Sequence, residues 1–186
     1  PKICNHIHFP LQAGSDEVLD RMNRTYTKQH FLDLAQKMRD NIPGLALSTD
    51  MIVGFPGETE ADFLETLDVM EQVKFDTAFS FKYSSRPGTK AAEFEDTVAE
   101  DDKQDRLQRM ITMQREHTLL RNREHIGERV EVLVEKNSKK SENQHQGRTR
   151  SNKIVIFDKA GEQPGDLVNV EIVDAQGITL FGRIVD

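Results

Sequence analysis

The sequence predicts an α/β unit built on parallel strands, followed by a small all-β barrel. Three observations carry this. Up to about Ile126, strand-like runs alternate with helical ones, as a parallel sheet with crossover helices requires. From Arg129 onward the apolar period is two throughout, and no helical period returns. Gly147, Gly161, Gly165, Gly177 and Gly182 punctuate that second part. The expected domains are therefore 1–125 and 126–186.

In the first domain, Ile7 to Leu11 reads as a short extended run ending at Gly14. Residues 16–23 form a short helical turn with Ser15 at its N-cap and Asp16 and Glu17 in its first turn. A longer helix begins at Thr27, with Phe31, Leu34, Ala35, Met38 and Ile42 at helical spacing, and Pro43-Gly44 stops it. Leu45 to Val53 is a buried strand, and Gly54-Phe55-Pro56-Gly57 is its turn. Thr59 and Asp62 have the spacing of a capping box, opening a helix that uses Phe63, Leu67 and Met70. Residues 77–84 alternate strictly, which predicts a third strand. Three strands do not close a barrel, so either the sheet is small and open or its missing strands lie before Pro1. A chain that begins almost directly in a strand favours the second. Glu100-Asp101-Asp102 opens a long helix to about Gly127. Leu107, Met110 and Ile111 are expected to pack, and its Gln/Arg-rich remainder to face solvent.

In the second domain, Val130, Val132 and Val134 alternate with charged residues, and Ile154 to Phe157, Leu167 to Val173 and Ile178 to Val185 follow. Four or five short strands in so little chain suggest a closed barrel of the oligonucleotide-binding type.

The chain is 36% hydrophobic and 31% charged, and no apolar run approaches the ~20 residues of a membrane span, so no membrane partner is expected. A single cysteine, Cys4, excludes an internal disulfide and fits a reducing, cytoplasmic location. The net charge of -7 argues against indiscriminate nucleic-acid binding. Yet residues 136–153 carry six basic side chains (Lys136, Lys139, Lys140, Arg148, Arg150 and Lys153) against one acid, Glu142. Arg148 and Arg150 flank Thr149, so on a strand they share a face, and such a patch suits phosphate contacts.

The first domain offers a different set. His6, His8, Pro10 and Gln12 share one face of an extended run, as do Ser48 and Asp50. Polar groups on a buried sheet face need partners, supplied either by a bound ligand or by one another. His6 and His8 lack a third ligand for a metal. The Gly54-Phe55-Pro56-Gly57 loop lies at the carboxyl end of its strand, where parallel sheets bind ligands, although a tight turn alone would also explain it. Arg86 lies at the corresponding end of the next strand.

Three runs, taken in order, carry a resemblance. They are His6-Ile7-His8-Phe9-Pro10-Leu11-Gln12-Ala13-Gly14-Ser15, then Asp50-Met51-Ile52-Val53-Gly54-Phe55-Pro56-Gly57-Glu58-Thr59, then Tyr83-Ser84-Ser85-Arg86-Pro87-Gly88-Thr89. They resemble the fourth to sixth strand ends of the radical S-adenosylmethionine (SAM) methylthiotransferases. Residues from about 127 resemble the TRAM domain that follows in that family, and Gly147-Arg148-Thr149-Arg150-Ser151-Asn152-Lys153 is most similar to its MiaB-type branch, which acts on isopentenyl-adenosine beside the tRNA anticodon. Ala13 stands where the family more often has Ser.

The resemblance implies the C-terminal half of a partial (β/α)6 radical-SAM barrel plus an OB-like TRAM domain. It implies SAM and two [4Fe-4S] clusters in the full-length enzyme. Each cluster needs three cysteines, so this chain holds no cluster ligand and no catalytic residue, and alone it is expected to be inactive. Gln12, Ser15, Asp50, Ile52, Val53 and Gly54 would line the SAM pocket, with the backbone of Ile52 and Val53 reading the adenine edge. Arg86, Lys139, Lys140, Arg148, Arg150 and Lys153 would guide the tRNA anticodon stem-loop to a monomeric enzyme. A sibling acting on threonylcarbamoyl-adenosine and a non-catalytic RNA-binding remnant are the competing readings.

Overall fold

Each strand of the first sheet is followed, after a loop, by a helix, and that alternation sets the topology. A computed structural model describes residues 3–185; Pro1, Lys2 and Asp186, at the ends of the two expected domains, lie outside it. The sheet comprises β1 (His6–His8), β2 (Ala46–Val53) and β3 (Thr77–Lys82) in that order, with β2 and β3 parallel in the register Asp50↔Phe79 and Ile52↔Phe81. The crossovers are α1 (Asp16–Arg21), α2 (Lys28–Asn41) and α3 (Glu60–Val73).

Thr27 caps α2 by accepting from His30 N–H. The capping box of α3 is complete: Thr59 Oγ1 accepts from Asp62 N–H at 3.2 Å, and Asp62 Oδ2 accepts from Thr59 N–H at 2.8 Å. The helical faces bury Phe31, Ala35, Phe63, Val69 and Met70, β2 buries Leu47, Met51 and Val53, and Phe9 stacks on Phe31 at 4.1 Å.

The long helix α4 (Glu100–Arg123) departs from expectation. Its buried positions are Lys103, Arg106, Met110, Gln114, His117, Thr118 and Asn122, all polar except Met110, while Leu107 and Ile111 are half-buried. The helix is held by directed bonds rather than by an apolar stripe. Arg106 Nη1 donates to Glu58 Oε1 at 2.8 Å, and Gln114 Nε2 donates to the Phe75 carbonyl at 2.8 Å.

Strands β4 (Arg129–Asn137), β5 (Gln144–Thr149), β6 (Ile154–Asp158), β7 (Leu167–Gln176) and β8 (Thr179–Ile184) close into a barrel in the order β4-β5-β6-β8-β7. All pairs are antiparallel except β6–β8. The interior is Val132, Val134, Val155, Phe157, Val170, Ile172, Ala175 and Leu180. Gly147 and Gly182 do not punctuate turns; they lie within β5 and β8. A Cβ on Gly147 would sit 2.5 Å from the Leu133 carbonyl oxygen, and one on Gly182 would sit 2.7 Å from that of Glu171. Both glycines permit close strand packing.

The chain divides into two compact units. The first comprises residues 7–43 and 47–114; the second comprises residues up to His6, residues 44–46, and residues from Arg115 onward. The division between these compact units falls inside α4, between Gln114 and Arg115. Among the described residues, no helix is long and apolar enough to cross a membrane.

Candidate functional site

Gln12 has a left-handed backbone, φ +70°, which a non-glycine residue adopts at a cost of roughly 1–3 kcal/mol. Two backbone bonds hold it there: its N–H donates to the Asp50 carbonyl, and its own carbonyl accepts from Ile52 N–H, each at 2.9 Å. The side chain lines a cleft of about 890 Å³ in the first unit, together with Asp50, Ile52, Phe81, Tyr83 and Arg86. Four residues singled out by the sequence, Gln12, Asp50, Ile52 and Arg86, thus meet in one cleft.

Asp50 is oriented within the sheet face. His8 Nδ1 lies 2.9 Å from Ser48 Oγ, and His8 Nε2 lies 3.2 Å from Asp50 Oδ2. The polar residues on β1 and β2 therefore satisfy one another. No cluster of three His, Cys, Asp or Glu suited to a metal occurs among the described residues.

Ser15, Val53 and Gly54 do not line the cleft. Ser15 occupies the N-cap position of α1 without capping it; its hydroxyl is buried and donates to Asp62 Oδ1 at 2.5 Å. Gly14 lies against α3, where a Cβ would come within 2.4 Å of Thr66 Cα, and its N–H donates to Thr66 Oγ1. The Gly14-Ser15 pair pins the end of the β1 segment to α3. The backbone groups expected to read an adenine edge are already engaged: Ile52 N–H donates to Gln12, and the Val53 carbonyl accepts from Tyr83 N–H at 2.8 Å. Gly54 N–H donates to Glu58 Oε1 at 2.9 Å, and a Cβ at Gly54, φ +71°, would meet Lys103 Cγ at 2.3 Å. Its glycine is demanded by α4.

Glu58 is the buried anchor beneath this loop. Burial pushes its pKa up, against the hydrogen bond from Gly54 and the Arg106 guanidinium, which favour the carboxylate. The far rim of the cleft carries residues that sequence reasoning missed. Arg24 and Lys90 line it beside Arg86, and all three are exposed, with no side-chain hydrogen bond or ion pair among the described residues. Nothing in local periodicity marks Arg24, which follows the left-handed Asn23 just past α1. Arg21 turns inward instead, with buried Nε and Nη2 lacking a partner among the described residues.

In the second unit, Arg148 and Arg150 do share a face. They line a cleft of about 480 Å³ with Cys4, His6, Leu133 and Leu167. Each is already paired: Arg148 Nε lies 3.1 Å from Glu135 Oε1, and Arg150 Nη1 lies 3.6 Å from Glu131 Oε1. Lys153 is buried, and its Nζ donates to Asn122 Oδ1 at 2.9 Å, so it is unavailable to a surface ligand. Lys139 and Lys140 are exposed between β4 and β5, outside both clefts.

Two family models match the chain in order: the Radical SAM superfamily over residues 2–70, and the TRAM domain over residues 123–185. Proteins named tRNA-2-methylthio-N(6)-dimethylallyladenosine synthase align along nearly its whole length. That of Syntrophomonas wolfei is 49% identical over 98% of the chain, that of a Thermoanaerobacter species 48% over 100%, and that of Moorella thermoacetica 47% over 100%. The chain is thus similar, over its own length, to radical SAM methylthiotransferases. It matches the C-terminal part of these relatives and spans only 41%, 39% and 42% of their respective lengths. The Radical SAM match takes in β1, α1, α2, β2 and most of α3, and the TRAM match takes in the closed barrel.

Proposed function

We propose that this chain is the C-terminal part of a tRNA-2-methylthio-N(6)-dimethylallyladenosine synthase, which methylthiolates isopentenyl-adenosine beside the tRNA anticodon. The observation that carries this reading is the near-50% identity along almost the full chain to proteins of that name. The ordered radical-SAM and TRAM matches support it. The enzyme would act in the cytoplasm, as a monomer, on the anticodon stem-loop.

The residues present do not fit an iron–sulfur cluster, because Cys4 is the only thiol and a cluster requires several. No step is therefore assigned to this chain through either cluster. The first-unit cleft does suit SAM, since its volume lies in the range of small-molecule sites and its lining mixes apolar with polar groups. SAM bound there, once reduced by one electron, would supply the 5′-deoxyadenosyl radical that abstracts hydrogen from the adenine ring, and a second SAM would give the methyl group. Of this chain's own residues, Ile52 offers an apolar wall and Gln12 an amide. Asp50, oriented by His8, offers a carboxylate acceptor. Ser15, Val53 and Gly54 act from behind, by fixing the strand ends.

The test is nucleoside mass spectrometry of tRNA from cells lacking the full-length gene. Loss of the methylthio group from isopentenyl-adenosine alone is expected. Its loss from threonylcarbamoyl-adenosine would move the assignment to the sibling enzyme. No change in either nucleoside would leave an RNA-binding remnant as the better account.

A further inference from the structure

Between β3 and α4 the chain runs from Tyr83 to Ala99 with one 3₁₀ turn, Lys90–Glu93, as its regular structure. Pro87-Gly88 reverses it at its tip. Gly88 has φ +80°, which suits the third position of a type II turn, and Thr89 N–H donates to the Arg86 carbonyl at 3.2 Å. Residues 84–90 and 95–97 are exposed, yet Ser84, Arg86, Thr89, Lys90, Ala91 and Phe94 form one wall of the first-unit cleft. A wall made of exposed chain needs ties, and those of this segment converge on the Gly54–Gly57 turn and its neighbour Lys103. Phe94 lies edge-on to Phe55 with ring centroids 6.2 Å apart, and Gly57 N–H donates to Thr97 Oγ1 at 3.1 Å. Asp96 Oδ2 accepts from Lys103 Nζ at 2.5 Å. The stem of the same lysine fills the space that a Cβ on Gly54 would need.

The Lys103–Asp96 pair is lopsided, with the lysine side chain 7% exposed and the aspartate 47%. If the segment lifts away, Asp96 regains water at little cost, whereas Lys103 is left as a buried ammonium without its carboxylate. Glu100 also feels the Lys103 charge, but Lys82 engages it. The closed position is therefore the one in which Lys103 is satisfied.

We propose that residues 84–98 form a strap that closes one side of the cleft, and that Lys103 is the positioning residue that latches it. One side chain then sets two parts of the site: its stem fixes the Gly54 turn, and its ammonium holds the strap. The latch resides in the chain itself, whichever small molecule the cleft takes, so its failure and that of the SAM reading are separate results.

The test is hydrogen–deuterium exchange of the 186-residue chain, read in peptides covering 84–98 and, for comparison, in β2. Asp96→Asn removes the anion, and Lys103→Met removes the ammonium while keeping an apolar stem against Gly54. The strap amides of Thr89, Ala92 and Phe94 donate within the segment and report its opening. Each substitution is expected to speed their exchange about tenfold, between the near-zero worth of an exposed ion pair and the roughly hundredfold or greater loss on breaking a buried one. Exchange in β2 stays at the parent rate. Combining the two changes gives no more than the larger single effect, because both remove the same bond. Asp96→Glu retains slow exchange, and Glu95→Gln, on the same segment, leaves it as in the parent. Exchange that stays slow in both folded single variants overturns the proposal and leaves Phe94 on Phe55 as the tie. Exchange that speeds equally in the strap and in β2 also overturns it, since the pair would then hold the fold rather than the strap. Lys103→Met replaces a buried charge with an apolar side chain of similar length, so it decides the matter even where Asp96→Asn strands the ammonium and unfolds the chain.

Discussion

The carboxylate of Asp62 accepts from Ser15 Oγ on one oxygen and from the Thr59 amide and hydroxyl on the other. Burial pushes its pKa up, but these hydrogen bonds outweigh burial and hold it below the ordinary carboxylate value. A depressed folded-state pKa contributes stability that is fully present above the unfolded value and is lost as pH falls through the folded one. Asp62→Ala removes a helix cap and leaves buried donors unmet, so it should cost about 2–4 kcal/mol at pH 7 in urea unfolding. The gap between parent and variant should narrow only as pH falls from the ordinary carboxylate value of 3.8 toward the lower folded one. A gap that stays constant down to acid unfolding would show that Asp62 acts by shape alone. The Thr59–Asp62 half of this hub is legible in sequence because the partners are three residues apart. The Ser15 half is not, because its partner lies 47 residues away. Gly14 and Gly54 likewise stand in motifs that point to a ligand, yet their lack of a side chain is explained by Thr66 and Lys103.

At the scale of elements, the buried face was legible in helices with an apolar stripe, whereas α4 was legible as a helix but not in which side it buries. Phe31 and Ala35 mark α2 because burial follows the helical period. In α4 the buried period is carried by Lys103, Arg106, Gln114 and Asn122, residues that composition assigns to solvent. Strand β5 was hidden for a related reason: its inward positions are His145, Gly147 and Thr149, so no apolar alternation announces it. The Arg106–Glu58 pair shows how much α4 depends on this. Both side chains are almost fully buried, and removing one partner strands the other. Arg106→Ala should therefore destabilise the chain by about 3–5 kcal/mol, and adding Glu58→Gln should recover part of that loss. The check is a double-mutant cycle by chemical unfolding. Additive losses would mean that α4 is held by the Phe63 face instead, over which Arg106 and Arg109 both lie.

At the scale of the whole molecule, charge and apolar surface are distributed in ways that composition averages away. The basic run at 136–153 was legible as a patch, but Glu131 and Glu135 lie just before that window and oppose its arginines across the barrel strands. The alternation at 77–84 was legible as a strand, found at Thr77–Lys82, yet its aromatic side is the open one: Phe79 and Phe81 are 50% and 51% exposed. Two adjacent phenylalanines on an open parallel sheet form an apolar surface of the kind that binds hydrophobic dyes and drives association. The chain should therefore enhance the fluorescence of an anilinonaphthalene dye under native conditions and show concentration-dependent self-association. Phe79→Ser with Phe81→Ser should remove most of both signals. Because each ring is only half-buried, the double change should cost no more than about 2 kcal/mol in unfolding free energy. Dye binding and association that persist in a folded double variant would place the apolar surface elsewhere. Leu133 and Leu167, 42% and 63% exposed beside the barrel arginines, would then be the residues to change.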